Sequence, residues 1–145
     1  MKFKSLLLTA ALALGLTASA QVAPTVIGTF TNVPTTMPAT TASNVNSVVE
    51  IPTSGGLSLA PLIGATNAAT ANMGFYFQLT ADGTNYSTTF PLNMQVALNG
   101  TTGVRGWTNV PQSLLVGARK IRLAYVTNGH SAPAFITNVT YSFSQ

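Results

Sequence analysis

The chain contains no cysteine and very few charged side chains. Without cysteine there are no disulfides, so packing and hydrogen bonds alone must hold the fold together. Charged residues make up 6% of the 145 residues, against about 25% in ordinary soluble domains. The surface must therefore be built largely from the abundant Thr, Asn, Ser and Gln side chains.

Groups that support catalysis or metal binding are equally scarce. The acids are Glu50 and Asp82, and the one histidine is His130. A metal site needs a cluster of such groups, a hydrolytic acid pair would need both acids, and a nucleophilic triad would need His130 with Asp82. Asp82 is more simply explained as the first residue of a turn, and His130 as a solvated loop residue. We expect no enzyme, no catalytic residue, no metal and no cofactor, with a calcium site on Asp82 and backbone carbonyls as the alternative.

No apolar run is long enough for a helix that spans a membrane. The run at 6–16 has about eleven residues, whereas a span needs about twenty. It follows Lys2 and Lys4 and precedes a small-x-small triplet that ends at Ala20, which is typical of a secretory signal peptide. We expect cleavage after Ala20, a single domain over 21–145, and a secreted location that is extracellular, periplasmic or at the cell surface.

Only four basic residues remain after the signal, so the sequence pI of 9.9 rests on few groups. Three of them, Arg119, Lys120 and Arg122, lie together, and the last two share the outward face of one predicted strand. Such a group would fit phosphate, an acidic polysaccharide or anionic lipid. We favour instead a role in solubility and in protecting a strand from edge pairing. Nucleic acid is not an expected partner.

Apolar and polar residues alternate with period two along most of the mature chain, which indicates β-strands with one buried side. Ile121, Leu123 and Tyr125 are predicted to share the inner face of one strand. In the last strand, the predicted face runs from Phe135 through every second residue to Phe143. The predicted strands span 25–33, 45–51, 57–63, 74–80, 85–90, 93–98, 104–110, 119–127 and 134–143.

Glycine-containing dipeptides separate several of these strands. Asp82-Gly83, Asn99-Gly100 and Asn128-Gly129 are the pairs that accept the type I′ turn of a hairpin, and Gly55-Gly56 has the same property. About eight or nine strands joined by such turns predict an all-β fold, an antiparallel sandwich of jelly-roll type. Helix is limited to one short turn over 65–72, and 34–43 is predicted to be an extended edge or a loop.

Aromatic and basic side chains supply the candidate binding residues. Trp107 lies between Gly106 and Thr108 and is the best candidate for an exposed contact. Tyr76, Tyr86 and Tyr125 are further residues suited to stacking on a sugar or a partner ring, and core packing is the alternative and commoner role of aromatic side chains in a sandwich. The complete predicted binding set is Trp107, Tyr86, Arg119, Lys120 and Arg122.

Two segments resemble a known type of module. Residues 79–86 resemble the S-x-D-G-x-x-aromatic hairpin of discoidin-like, galactose-binding-type sandwiches, and Arg119 to Leu123 resembles the R-Y-I-R-L strand that follows it. Similar pairs occur in phage and bacterial surface structural proteins. The resemblance implies a sandwich fold. It transfers no binding site, because the terminal cysteines and ligand-contacting loop residues of the discoidin-like family have no counterpart here.

These observations predict a secreted, non-enzymatic structural or interaction protein, a subunit or decoration of a surface or particle assembly. A Thr- and Asn-rich surface with little charge repulsion favours self-association or contacts with other surface proteins. One alternative is a small carbohydrate-binding module that uses Trp107 and Tyr86. A second is a small outer-membrane β-barrel, suggested by the aromatic strand at Tyr141 to Phe143, although most predicted strands are shorter than the about nine to eleven residues such a barrel needs.

Overall fold

A computed structural model describes residues 25–52, 55–65, 71–98 and 103–144. The predicted signal peptide, the predicted Asn99-Gly100 turn and most of the short helical turn predicted over 65–72 lie outside the described residues. Ten strands and one short helix form in the described part: β1 Thr25–Thr29, β2 Thr36–Met37, β3 Ala42–Glu50, β4 Gly56–Ala65, β5 Asn72–Thr80, β6 Leu92–Ala97, β7 Val104–Arg105, β8 Thr108–Val110, α1 Gln112–Leu115, β9 Lys120–Asn128 and β10 Ala134–Ser144.

The strands form two antiparallel sheets. Sheet A has the order β1-β10-β4-β7, with β2 also beside β10 and β8 also beside β4. Sheet B has the order β3-β9-β5-β6. When β1 with β2 and β7 with β8 are each counted as one interrupted strand, eight strands follow the jelly-roll order. Consecutive strands then lie in different sheets, except for β5 and β6, which are neighbours in sheet B. The predicted antiparallel sandwich is confirmed.

The core lies between the inner faces of the two sheets. Leu59, Ile63 and Val139 of sheet A and Phe75 and Leu123 of sheet B are completely buried. Every second residue of β5 and β6 contributes to this core, as the period-two pattern predicts. Burial of these side chains is the main favourable term for a domain that has no cysteine.

A β-bulge in β9 changes which residues face the core. Tyr125 pairs with Tyr76, but Leu123 pairs with the adjacent Phe77, so Ala124 is an extra residue. Leu123 and Val126 are therefore both buried, while Tyr125 is only partly buried and stacks on Tyr76. The predicted inward position of Tyr125 is wrong because the bulge adds one residue to the alternation.

A second bulge lies in β10, between Ile136 and Asn138. Ile136 is buried at 3% exposure, whereas the neighbouring Phe135 is 42% exposed. Val139 and Phe143, after the bulge, point inward as predicted. The predicted shared face is therefore wrong for Phe135, which lies before the extra residue.

Two of the predicted hairpin turns are connections between the sheets. Gly55 has a φ of 114°, but it links β3 of sheet B to β4 of sheet A. Asn128-Gly129 ends β9 and leads to β10, again from sheet B to sheet A, and neither residue has a positive φ. These positions are not type I′ hairpins, because the strands they join are not hydrogen-bonded neighbours.

Asn128 instead ties loops together from a buried position. Its amide nitrogen donates to the carbonyl oxygens of Met37, Pro38 and Ala132 at 3.2, 2.9 and 3.0 Å. Its Oδ1 accepts the backbone N–H of His130 at 2.9 Å. His130 is itself buried, so its predicted place in a solvated loop is wrong.

Two further predictions are wrong, the type I′ turn at Asp82-Gly83 and the strand at 85–90. Gly83 has a φ of 86°, but Asp82 does not have a positive φ. The antiparallel neighbours β5 and β6 are joined by a long loop over 81–91, so residues 79–86 do not form the tight hairpin that the discoidin-like resemblance implies. Asp82 explains the loop, because its Oδ1 accepts backbone N–H bonds from Thr84 at 2.9 Å and Asn85 at 2.7 Å.

Candidate functional site

The predicted binding residues are divided between opposite faces of the sandwich. Trp107 lies between β7 and β8 in sheet A. Arg122 lies in β9 of sheet B, with Tyr86 against it. The structure therefore does not bring Trp107 and Tyr86 together at one site, because the outer faces of two packed sheets point in opposite directions.

Trp107 is held in a fixed orientation although 63% of it is exposed. Its indole N–H donates to Asn109 Oδ1 at 3.2 Å, and the Ser58 hydroxyl donates to the same oxygen at 2.7 Å. Gly106 permits this path, because a Cβ there would lie 2.5 Å from a Val96 methyl and 2.8 Å from the Met94 methyl. The chain thus passes close to the core at Gly106 and turns the next side chain outward.

A shallow cavity of about 140 Å³ lies beside the indole on the outer face of sheet A, and we call its lining the Trp107 face. It is formed by Ile27, Ser58, Ala60, Trp107, Thr140, Tyr141 and Ser142. None of these residues is charged, and the Thr140 hydroxyl donates to the Ala60 carbonyl at 2.8 Å. An exposed ring beside hydroxyls suits a flat, neutral ligand or an apolar partner surface.

Arg122 is engaged within the molecule. Its Cζ lies 4.0 Å from the centre of the Tyr86 ring, a cation–π distance. Its guanidinium also donates to Gln78 Oε1, from Nε at 3.1 Å and from a terminal nitrogen. The Gln78 amide in turn donates to the Ser87 carbonyl at 2.8 Å. These contacts fix the loop over the sheet and leave little of the cation for an external anion.

An aromatic cluster lies beside Arg122 on the outer face of sheet B. Tyr76 and Tyr125 are stacked with ring centres 4.3 Å apart, and Phe90 packs edge-on against both. Partial burial, and secondly the nearby Tyr76, raise the pKa of the Tyr125 phenol above its usual value. The sequence indicates Tyr76 and Tyr125 as residues suited to stacking, but it does not predict this cluster, because the β9 bulge decides the outward position of Tyr125.

The other two basic residues of the predicted set, Arg119 and Lys120, contact other groups than Arg122 does. Lys120 Nζ lies 3.8 Å from Glu50 Oε1, and the Glu50 side chain is 84% exposed, so the pair contributes little stability. Arg119 is exposed and lines an open cavity of about 340 Å³ with Ile51 and Leu115. The three basic residues therefore do not converge on one anion site.

Two exposed apolar side chains lie at the same end of the sandwich, in and just after α1. Leu114 is 40% exposed and Val116 is 79% exposed. No periodic pattern predicts their exposure, because α1 has only four residues. They add to the apolar surface that the described part of the chain presents to solvent.

The described residues hold no group of three or more His, Asp or Glu side chains placed to bind a metal. The Asp82 carboxylate is already occupied by Thr80, Thr84 and Asn85 as donors. The backbone bonds from Asn85 and Thr84 hold the Asp82 pKa well below its usual range. Among the helices described, none is long and apolar enough to cross a bilayer.

Comparisons with known proteins identify a shared fold. No protein-family profile and no curated protein matches the sequence. Similar solved structures include infectious bursal disease virus, Gx strain (12% identity, TM-score 0.53), the VP2 subviral particle of that virus (13%, 0.52) and the enzymatically active domain of tailspike protein 4 of bacteriophage CBA120 (13%, 0.52). Each match covers 83% of this chain but only 32%, 33% and 18% of the respective matched chain. The chain is thus similar to one sandwich within larger proteins.

Proposed function

We propose that this protein is a secreted, non-enzymatic structural module that enters a surface or particle assembly through contacts with copies of itself or with other surface proteins. The observation that carries the proposal is the nature of its surface. Arg122 and Asp82 are engaged internally, and Lys120 faces Glu50. Six large apolar side chains are exposed in the described residues: Ile27, Val48, Trp107, Leu114, Val116 and Phe135.

Such a surface offers little resistance to close contact between copies. Unpaired like charges normally keep small domains apart in solution, and exposed apolar side chains favour contact. The fold is compatible with this role, since a similar sandwich forms about a third of a protein of a virus particle. The predicted signal peptide supports placement outside the cytoplasm.

The mass of the exported chain as a function of concentration tests the proposal. We expect light scattering after gel filtration to show a mass that rises above the monomer as concentration increases. Cell fractionation should recover the protein in a surface or particle fraction, with a mass that corresponds to a chain starting at Gln21. A strict monomer at every concentration, absent from those fractions, contradicts the proposal.

The Trp107 face supports a second candidate function, binding of a neutral sugar. Its indole is exposed yet oriented by Asn109, and hydroxyl groups surround it. A glycan array tests this with the protein, Trp107→Ala and the control Phe135→Ala, which removes another exposed aromatic ring of sheet A. Binding that Trp107→Ala weakens by about tenfold or more, about 1.4 kcal/mol, and that Phe135→Ala leaves unchanged supports it. If the protein binds no glycan, or if both variants weaken binding equally, this candidate function is wrong.

A further inference from the structure

Strand β6, Leu92–Ala97, lies at an edge of sheet B with one side open. Among the described strands it pairs only with β5. The N–H of Leu98 donates to Ala71 on the β5 side at 2.9 Å, and in an antiparallel ladder bonded residues alternate. The backbone groups of Asn93, Gln95 and Ala97 therefore point away from β5. All three residues are exposed.

The neighbouring segments that the structure describes do not cover this edge. The loop over 81–91 turns back across the outer face of sheet B, where Phe90 packs on Tyr76 and Tyr125. On the inner side, Gly106 approaches the Met94 and Val96 side chains. Between these two layers the backbone edge of β6 is open in the described part of the molecule.

The β6 edge also lacks the features that usually block pairing between proteins. Natural sheets protect their edges with charges, prolines, bulges or very short strands. Strand β6 has no charged residue and no proline, and its six pairs with β5 run without a bulge.

The other edges carry such features. Strand β3 has a bulge between Asn44 and Ser47, and it ends at Glu50. The β1 and β2 edge of sheet A is divided into strands of five and two residues. On the opposite edge, β7 and β8 have two and three residues, and β7 ends at Arg105.

We infer that β6 pairs antiparallel with β6 of a second copy of this chain, about a two-fold axis at Gln95. This inference rests on the proposed self-association and names its surface. In that arrangement Gln95 lies opposite Gln95 and Asn93 opposite Ala97, which gives about six hydrogen bonds between the chains. The two copies of sheet B become one continuous sheet, and Met94 and Val96 of each copy extend a shared inner face.

A second copy fits this edge better than an unrelated strand. A closed dimer requires a surface that is complementary to itself about a two-fold axis, and an antiparallel strand edge has this property. Because β6 has no charge, no like charges meet across the axis. The side chains that face each other are two polar amides and a pair of short residues, Asn and Ala, which leave room for the backbones to approach.

Single-cysteine cross-linking tests the register. The chain has no cysteine, so any disulfide in a Gln95→Cys variant joins two copies. Paired residues at the axis have Cα atoms about 5.5 Å apart, within the disulfide range of about 4.4–6.8 Å. The control is Asn44→Cys, an exposed position on the β3 edge of the same sheet. We expect Gln95→Cys to cross-link at least about tenfold faster, because pairing raises its effective concentration.

A charge substitution separates this inference from the broader proposal. Gln95→Lys places like charges opposite each other at the axis, so the concentration for half-association should rise up to about fivefold, while Asn44→Lys leaves it unchanged. If the parent chain associates but both lysine variants behave alike, or the cysteine variants cross-link at equal rates, the β6 pairing is wrong and the proposed function stands. If the parent chain stays monomeric at every concentration, the proposed function itself falls.

Discussion

At the scale of single residues, a few polar side chains decide the shape of the loops. Asp82 organises the loop over 81–91 through its carboxylate, which accepts bonds from Thr80, Thr84 and Asn85. Asn128 ties three carbonyl groups together from a buried position. Both residues were predicted to begin two-residue turns. Their local sequence cannot show that their side chains, rather than their backbone angles, carry the structure.

Asp82→Asn should lower stability in a pH-dependent way. Hydrogen bonds to the charged form depress the pKa of Asp82 in the folded state. The stabilising contribution of the carboxylate is therefore fully present above the unfolded-state pKa of about 4, and it is lost progressively as the pH falls from that value through the lower folded-state pKa. We expect a lower urea midpoint for the variant at pH 7, with a difference from the parent chain that narrows at acid pH.

The matched control for this prediction is Glu50→Gln. The Glu50 carboxylate is highly exposed and lies 3.8 Å from Lys120, so screening by water leaves it little effect on stability. A difference between Asp82→Asn and the parent chain that stays constant from pH 7 down to about pH 3 would contradict the assigned role of the carboxylate.

At the scale of elements, the period-two pattern identifies most strands but not their irregularities. The bulges in β9 and β10 each add one residue to the strand. The side chains on one side of each bulge therefore point to the face opposite to the one that simple alternation predicts. Tyr125 and Phe135 are consequently outside the core although their spacing indicates the inside. A bulge arises from the pairing of two strands, so the pattern of one strand alone does not reveal it.

The β10 bulge makes an unusual prediction about two adjacent residues. Ile136→Ala should cost about 2–5 kcal/mol of unfolding free energy, because it leaves a cavity in the core. Phe135→Ala should change stability by less than about 1 kcal/mol, because the larger side chain is substantially exposed. Urea unfolding of both variants measures the difference. A larger loss for Phe135→Ala would restore the simple alternation and contradict the bulge.

The connections between strands show a similar limit of sequence-based prediction, because strand pairing depends on residues far apart in the chain. Gly55-Gly56 and Asn128-Gly129 lie between predicted strands, as expected, yet they join strands of different sheets. Whether two strands in sequence become neighbours depends on where the other strands lie. The segment at 85–90 is predicted as a strand, but it forms part of a loop. The hydrogen bond from the Asn85 N–H to Asp82 and the contact of Tyr86 with Arg122 stabilise this loop conformation.

At the scale of the whole molecule, scarcity of charge is the property with the widest consequences. The full sequence carries six basic and two acidic residues, and several of those in the described part are engaged internally. The proposed contacts between copies would therefore rest on hydrogen bonds of backbone and uncharged polar groups and on apolar side chains. Association of this kind differs from the charge-driven type in its response to salt.

The proposed self-association of the chain over 21–145 should be nearly independent of ionic strength. Salt screens interactions between exposed charges but has little effect on strand pairing. We expect the concentration for half-association, measured by sedimentation, to change less than about twofold between about 0.05 M and 1 M sodium chloride. A steep loss of association with added salt would instead indicate that Arg105, Arg119 or Lys120 forms the contact.

The amino-acid sequence by itself determined the fold class, the approximate position of most strands and the small number of acidic, histidine and cysteine side chains. These properties follow from side-chain period and composition, which are local and additive. Trp107 was also predicted to be exposed, and it is; its predicted binding role remains to be tested.

Only the tertiary structure decided which residues act together. It placed Trp107 and Tyr86 on opposite faces of the sandwich and engaged Arg122 with Gln78. It also assembled the Tyr76 cluster and, within the described residues, left the edge of β6 open. Each of these results depends on strand order and on bulges, which arise from contacts between segments far apart in the chain. No local pattern contains that information.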